Sequence, residues 1–101
     1  MGELDNIQKI IFDNKLKHGF NTTNVELELC FAHGELAEAF DAYRKKMSLV
    51  GEELADVAIY LYGIAEILGY DLNEEIIRKV NKNKDRIYKE VNGVRIRISE
   101  A

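Results

Sequence analysis

Apolar residues recur at helical spacing in four stretches of the chain. The first runs from about Leu4 to Lys17, with Leu4, Ile7, Ile10 and Ile11 on one face, and His18-Gly19 ends it. Glycine readily takes the left-handed conformation found just past a helix end. The second stretch is expected to begin at Thr23, because Thr23-Asn24-Val25-Glu26 fits a capping box. Leu29, Ala32, Leu36, Phe40 and Tyr43 follow at helical spacing. Arg44-Lys45-Lys46 then places positive charge where the helix dipole favours it. Ser48 is the expected N-cap of the third helix, which runs to about Leu68 before Gly69. Its centre, Val57 to Ala65, is apolar almost all round, so it must be covered on several sides. Three other short helices cannot do this alone, which predicts a central helix that also meets a partner chain. A fourth helix opens at the capping box Asp71-Leu72-Asn73-Glu74 and continues through Ile76, Ile77, Val80 and Asn83 to about Arg86.

After Tyr88 the period changes. Lys89-Glu90-Val91, Asn92-Gly93 and Val94-Arg95-Ile96-Arg97-Ile98 predict a β-hairpin, since Asn-Gly suits a type I′ turn. The expected fold is therefore all-α: one domain over residues 1–101, a four-helix bundle completed by dimerisation, with a short C-terminal hairpin.

The chain has 101 residues, 47% apolar and 32% charged, an ordinary globular mix. A chain of this length buries only about 60–65% of its unfolded surface, which again favours association with a second copy. One cysteine, Cys30, allows no internal disulfide; with no CxxC for zinc, it is expected to act as a small buried apolar residue. The run from Val57 to Ala65 is far shorter than the roughly 20 residues of a membrane span. Met1-Gly2-Glu3-Leu4-Asp5 has no signal-peptide apolar core, so a cytoplasmic, non-membrane protein is expected. The net charge of −4 hides a polarity: residues 1–77 carry a balance of −9 and residues 78–101 one of +5. The acidic body argues against wrapping nucleic acid, and the basic end suits phosphate. A phosphate ester bound through a metal satisfies both.

Candidate chemistry lies in two carboxylate pairs. Glu35-Leu36-Ala37-Glu38 is on the second helix and Glu53-Leu54-Ala55-Asp56 on the third. Residues three apart share a helix face, so each pair offers two oxygen ligands to one region. A short connection around Arg44 to Ser48 makes the helices antiparallel neighbours. Glu38 and Glu53 each lie roughly two turns from its centre, hence at similar heights. Such pairs are common on solvated faces. Two of them flanking one turn, with Leu36, Leu54 and Val57 among them, point instead to a hard divalent ion, because four facing carboxylates repel one another without a cation.

Three segments carry a wider likeness: His33-Gly-Glu-Leu-Ala-Glu-Ala39, Glu52-Glu-Leu-Ala-Asp-Val-Ala-Ile-Tyr-Leu61 and Lys79-Val-Asn-Lys-Asn-Lys-Asp-Arg86. Together they resemble the MazG-like, all-α nucleoside triphosphate pyrophosphohydrolases over about residues 22–88. The resemblance implies a helical homodimer or homotetramer. It also implies Mg²⁺-dependent hydrolysis, with Mn²⁺ as a substitute, of a nucleoside triphosphate to monophosphate and pyrophosphate. Carried over residue by residue, it implies Glu35, Glu38, Glu53 and Asp56 as metal ligands. Glu38 and Glu53 would be the catalytic carboxylates, and Lys79, Asn83 and Arg86 would lie near the phosphates or nucleotide. Many members have a further metal-binding glutamate three residues before the one matching Glu35. Here that residue is Ala32, as in a subtype that relies on the Glu35/Glu38 pair.

Phe20 and Phe31 read first as packing residues, Tyr60 and Tyr62 as core or dimer interface, His33 as a structural histidine and His18 as a helix-end residue. A di-iron helical bundle needs Glu-x-x-His motifs, whereas Lys15 and Cys30 precede the two histidines by three. The remaining alternative to an enzyme is a non-catalytic interaction or nucleic-acid-binding module on the same fold.

Overall fold

The computed structural model describes residues 2–100. A 3₁₀ turn, Glu3–Asn6, leads into α1 (Ile7–Lys17), followed by α2 (Val25–Arg44), α3 (Val50–Leu68) and α4 (Leu72–Lys84); β1 (Arg86–Val91) and β2 (Val94–Glu100) close the chain. The helices form where the apolar spacing places them, and α3 is the central one, packed along α2 and crossed by α1. None of the described helices is long and apolar enough to cross a membrane.

Helix ends follow local chemistry. Gly19 and Gly69 adopt φ of 71° and 84°, the left-handed values that stop α1 and α3. The Asp71 side chain accepts the Glu74 backbone N–H at 3.1 Å and opens α4 as expected. Two starts differ from expectation. The cap of α2 is Asn24, not Thr23, and its side chain accepts the Leu27 N–H at 3.0 Å. The reason is Asn21, whose Oδ1 accepts the backbone N–H groups of Thr23 and Asn24 and so folds the preceding polar run into a turn. The cap position of α3 is Leu49, without a side-chain bond, rather than Ser48. Lys46 takes the left-handed conformation (φ 55°) and Met47 N–H returns to Ala42 O, so the tight reversal leaves Ser48 one residue short of the cap.

The face of α2 that packs within the chain is also not the large-residue one. Ala32, Ala39 and Ala42 are buried, whereas Leu36, Phe40 and Tyr43 remain 54–71% exposed. The buried residues fall on the stripe 25, 28, 32, 35, 39, 42, whose 3-4 spacing keeps one face toward α3. Small side chains let the two backbones approach. The large ones, at 29, 36, 40 and 43, form a second stripe facing outward. Cys30 lies exposed between the stripes, not buried as its composition suggested.

At the far end of α3 the elements are tied by polar links. Gln8 Nε2 donates to Glu66 (2.9 Å) and to Tyr70 O (2.7 Å), while its Oε1 accepts the Leu72 N–H (2.9 Å). Asn73 receives the Tyr62 hydroxyl (2.6 Å) and donates to Leu4 O (2.9 Å). These hydrogen bonds hold only the first turn of α4. Helix α4 itself ends at Lys84, so Arg86 starts β1 instead of finishing the helix.

The hairpin forms as the Asn-Gly signal predicts, with positive φ at Asn92 (52°) and Gly93 (79°) and antiparallel pairing of Val91 with Val94. Its first strand begins earlier than read from the sequence, and the register slips between Ile87 and Tyr88.

This chain is loosely covered. Its accessible surface is 7897 Å², against about 5,800 Å² for a compact monomer of this mass. Its radius of gyration is 16.7 Å, against about 13 Å expected for this length.

Candidate metal centre

Helices α2 and α3 run antiparallel from the Lys45–Leu49 turn. Glu35 lies on the inward stripe of α2, Glu38 lies one turn later, and Glu53 faces them from the first turn of α3. A carboxylate oxygen of each lies within 4.8 Å of the other two. Equal heights across the turn, read from residue counts, are thus realised in three dimensions. Asp56, one turn further along α3, is exposed and outside that triangle, although its charge acts on Glu35 and Glu53.

Neighbouring carboxylates act on two members of the cluster. The Glu35 carboxyl titrates above its ordinary range, raised first by a shared hydrogen bond with Glu38, then by desolvation and the charges of Glu38, Asp56 and Glu53. Glu53 is raised as well, by desolvation and then by Glu38, Asp56 and Glu52. Among the described residues, the charges acting on these two groups are those of carboxylates. A divalent cation would remove this repulsion, and an all-oxygen donor set suits Mg²⁺ or Mn²⁺ rather than a thiophilic metal. The residues present therefore fit the ion that the resemblance implies.

Lys79 and Asn83 lie on the second half of α4 and Arg86 at the start of β1. Arg86 Nη1 donates to Asn83 Oδ1 at 2.8 Å, so these two do form one unit.

Sequence reasoning missed a second charged site. Lys15 and Glu28 are both buried, and the ammonium donates to Glu28 Oε1. Glu28 Oε2 accepts from Asn21 Nδ2 at 3.2 Å. The signal was present: Lys15 continues the apolar Ile7, Ile11 stripe of α1, and Glu28 interrupts the inward stripe of α2. Gly63 makes room for the lysine stem, since a Cβ there would meet Lys15 Cδ at 3.3 Å. Phe20 and Phe31, expected as packing residues, are instead 60% and 44% exposed and line a cavity beside this pair.

The chain is thus a small, mainly helical protein whose two longest helices gather three carboxylates across a short turn. The model of the MazG-like family matches residues 21–97, and the chain belongs to that family. No curated relative and no solved structure matches it.

Proposed function

We propose that this protein is a Mg²⁺-dependent nucleoside triphosphate pyrophosphohydrolase, releasing a nucleoside monophosphate and pyrophosphate and suited to removing non-standard nucleotides. The observation that carries this reading is the triangle of Glu35, Glu38 and Glu53, in which the charges acting on Glu35 among the described residues are those of other carboxylates. These three would hold the ion, with Asp56 at its margin. When bound, the ion neutralises phosphate charge and lowers the pKa of a coordinated water.

The chain's own residues supply the rest. Glu38, the exposed member of the triangle, is the group proposed to take a proton from an attacking water. Glu53 fixes the α3 side of the site opposite it. Lys79, Asn83 and Arg86 are the groups proposed to grip the phosphates and stabilise charge on departing pyrophosphate. That role needs an assembly that brings α4 to the carboxylates.

A second copy is the proposed source of that assembly, as a homodimer or homotetramer. The surplus of about 2,000 Å² per chain over a compact monomer would amount to about 4,000 Å² between two copies, the size of an obligate homodimer interface. The surface best suited to it is the apolar hollow of about 660 Å³ formed by Leu36, Phe40 and Tyr43 of α2 with Val50 and Leu54 of α3.

The test is pyrophosphate release from a panel of nucleoside triphosphates with and without Mg²⁺. Mg²⁺-dependent release is expected. No release from any triphosphate, with a salt-sensitive shift of an oligonucleotide by the basic C-terminal segment, would support the binding-module alternative.

A further inference from the structure

Asn92-Gly93 is the reversal of the C-terminal hairpin. The chain has eight asparagines, and Asn92 alone precedes a glycine. Every other asparagine is followed by a residue whose side chain shields the next backbone nitrogen. The side-chain amides of Asn21, Asn24, Asn73 and Asn83 are also held by hydrogen bonds within the helical body or at its edge. Asn92 and Gly93 are both exposed. A Cβ built on Gly93 would meet nothing within 4 Å, so the space around its backbone is open.

An asparagine in this setting can close a five-membered imide ring with the next backbone nitrogen. The turn itself opposes that step, because the ring does not fit the left-handed backbone of Asn92 (φ 52°). What holds the turn, however, is weak. A two-stranded ribbon is marginally stable at best. The register slips between Ile87 and Tyr88. Val94, Ile96 and Ile98, on one face of β2, remain 44–60% exposed. Local opening of such a ribbon frees Asn92 to reach the ring-closing conformation.

We propose that Asn92 is a site of spontaneous deamidation, and that its isoaspartate product disables the hairpin. The Gly93 backbone nitrogen gives its proton to solvent hydroxide and forms a bond to Asn92 Cγ. The Cγ–Nδ2 bond breaks, and the amide nitrogen takes a proton from water and leaves as ammonia. A water molecule then opens the imide at either carbonyl. Net, one water is consumed and one ammonia released, with nothing oxidised or reduced. One opening gives aspartate; the other gives isoaspartate, whose main chain runs through the former side chain. Both add a negative charge to the basic end of the chain. Aspartate keeps the reversal, since Asp-Gly also suits a type I′ turn. Isoaspartate adds a backbone atom to a two-residue loop whose length sets the strand register, so the ribbon opens. Arg86, which begins β1 and is bonded to Asn83, lies at the base of that ribbon. The modification does not depend on the pyrophosphohydrolase reading.

The experiment ages the intact protein at physiological temperature in mildly alkaline buffer, beside the same chain unfolded in guanidinium. Every asparagine is mapped by mass spectrometry, and isoaspartate is counted with an isoaspartate methyltransferase as reagent. In the native protein Asn92 is expected to convert at least about tenfold faster than any other asparagine, because only glycine leaves the attacking nitrogen unshielded. The isoaspartate form, separated by ion exchange, should lose the NMR cross-strand contacts between β1 and β2 while the helical signals persist. Asn92→Asp carries the same new charge on an unaltered backbone and should keep those contacts. Native Asn92 converting no faster than the other asparagines, while the unfolded chain converts it quickly, would show that the turn protects it and would overturn the proposal. So would cross-strand contacts that survive in the isoaspartate form, that are lost equally in Asn92→Asp, or that are missing from the fresh protein. None of these results bears on pyrophosphate release by the fresh protein, so the two readings fail separately.

Discussion

Two acidic regions of α2 lie on the same inward stripe, seven residues or about 10 Å apart, yet they are treated oppositely. At Glu28 the carboxylate is buried and met by Lys15 and Asn21, a neutral unit complete within the chain. At Glu35 the carboxylate meets Glu38 and Glu53, and the charges that act on it among the described residues are all carboxylates. The first arrangement is what a folding protein needs, because a lone buried charge is expensive. The second is poor for folding and good for recruiting an ion from outside. The contrast sets a charge paired within the chain against a cluster of like charges on one helix.

Perturbing each region therefore gives different signatures. The largest effect is expected from Glu53→Gln, which should lower Mg²⁺-dependent pyrophosphate release by at least about a hundredfold, since the metal contributes several kcal/mol to the barrier. The metal-free melting temperature should hold or rise, because a repelling charge is gone. A parallel loss of stability would place Glu53 with Glu28 instead.

Lys15→Met should produce the opposite pattern. Stranding Glu28 in the interior should cost about 3–5 kcal/mol by urea denaturation, and adding Glu28→Leu should restore most of it. Asn21→Ala removes one hydrogen bond to a buried carboxylate, and a loss of about 1.5–3 kcal/mol is expected in the same assay.

The pH dependences should also diverge. Raised pKa values at Glu35 and Glu53 mean that these groups favour the metal-free fold when protonated, and that this contribution is lost as pH rises through their raised values. Mg²⁺ should therefore raise the melting temperature near neutral pH, with the gain shrinking as pH falls into that range. Glu66, lowered by its hydrogen bonds from Lys9 and Gln8, behaves the other way. Its contribution is present above the ordinary carboxylate range and disappears as pH falls through its lowered value. A thermal melt series across pH, with and without Mg²⁺, checks both signs.

The same contrast explains what could be read from the chain. Helix positions, the central role of α3 and the Asn92-Gly93 turn depend on local spacing and backbone preference, and all emerged from the pattern. The caps of α2 and α3 slipped by one residue because several polar residues compete there. Asn21 decides between Thr23 and Asn24 by bonds that spacing does not reveal. The carboxylate triangle was legible because two i, i+3 pairs straddle a short turn, so counting residues sets their heights. The Lys15–Glu28 pair was not, since it joins two helices across the α1–α2 connection. A charged residue inside each apolar stripe was its only trace. The outward Leu36, Phe40 and Tyr43 stripe matched the expected apolar face but not its location, because the alanines pack more closely.

The most direct test of the account is titration of Mn²⁺ into the metal-free protein at neutral pH, read by the loss of the free-ion paramagnetic signal. Saturable binding is predicted for the wild type and should be lost in Glu35→Gln and Glu53→Gln, while Lys15→Met/Glu28→Leu retains it. Absence of binding in the wild type, or equal binding in the two glutamine variants, would contradict it.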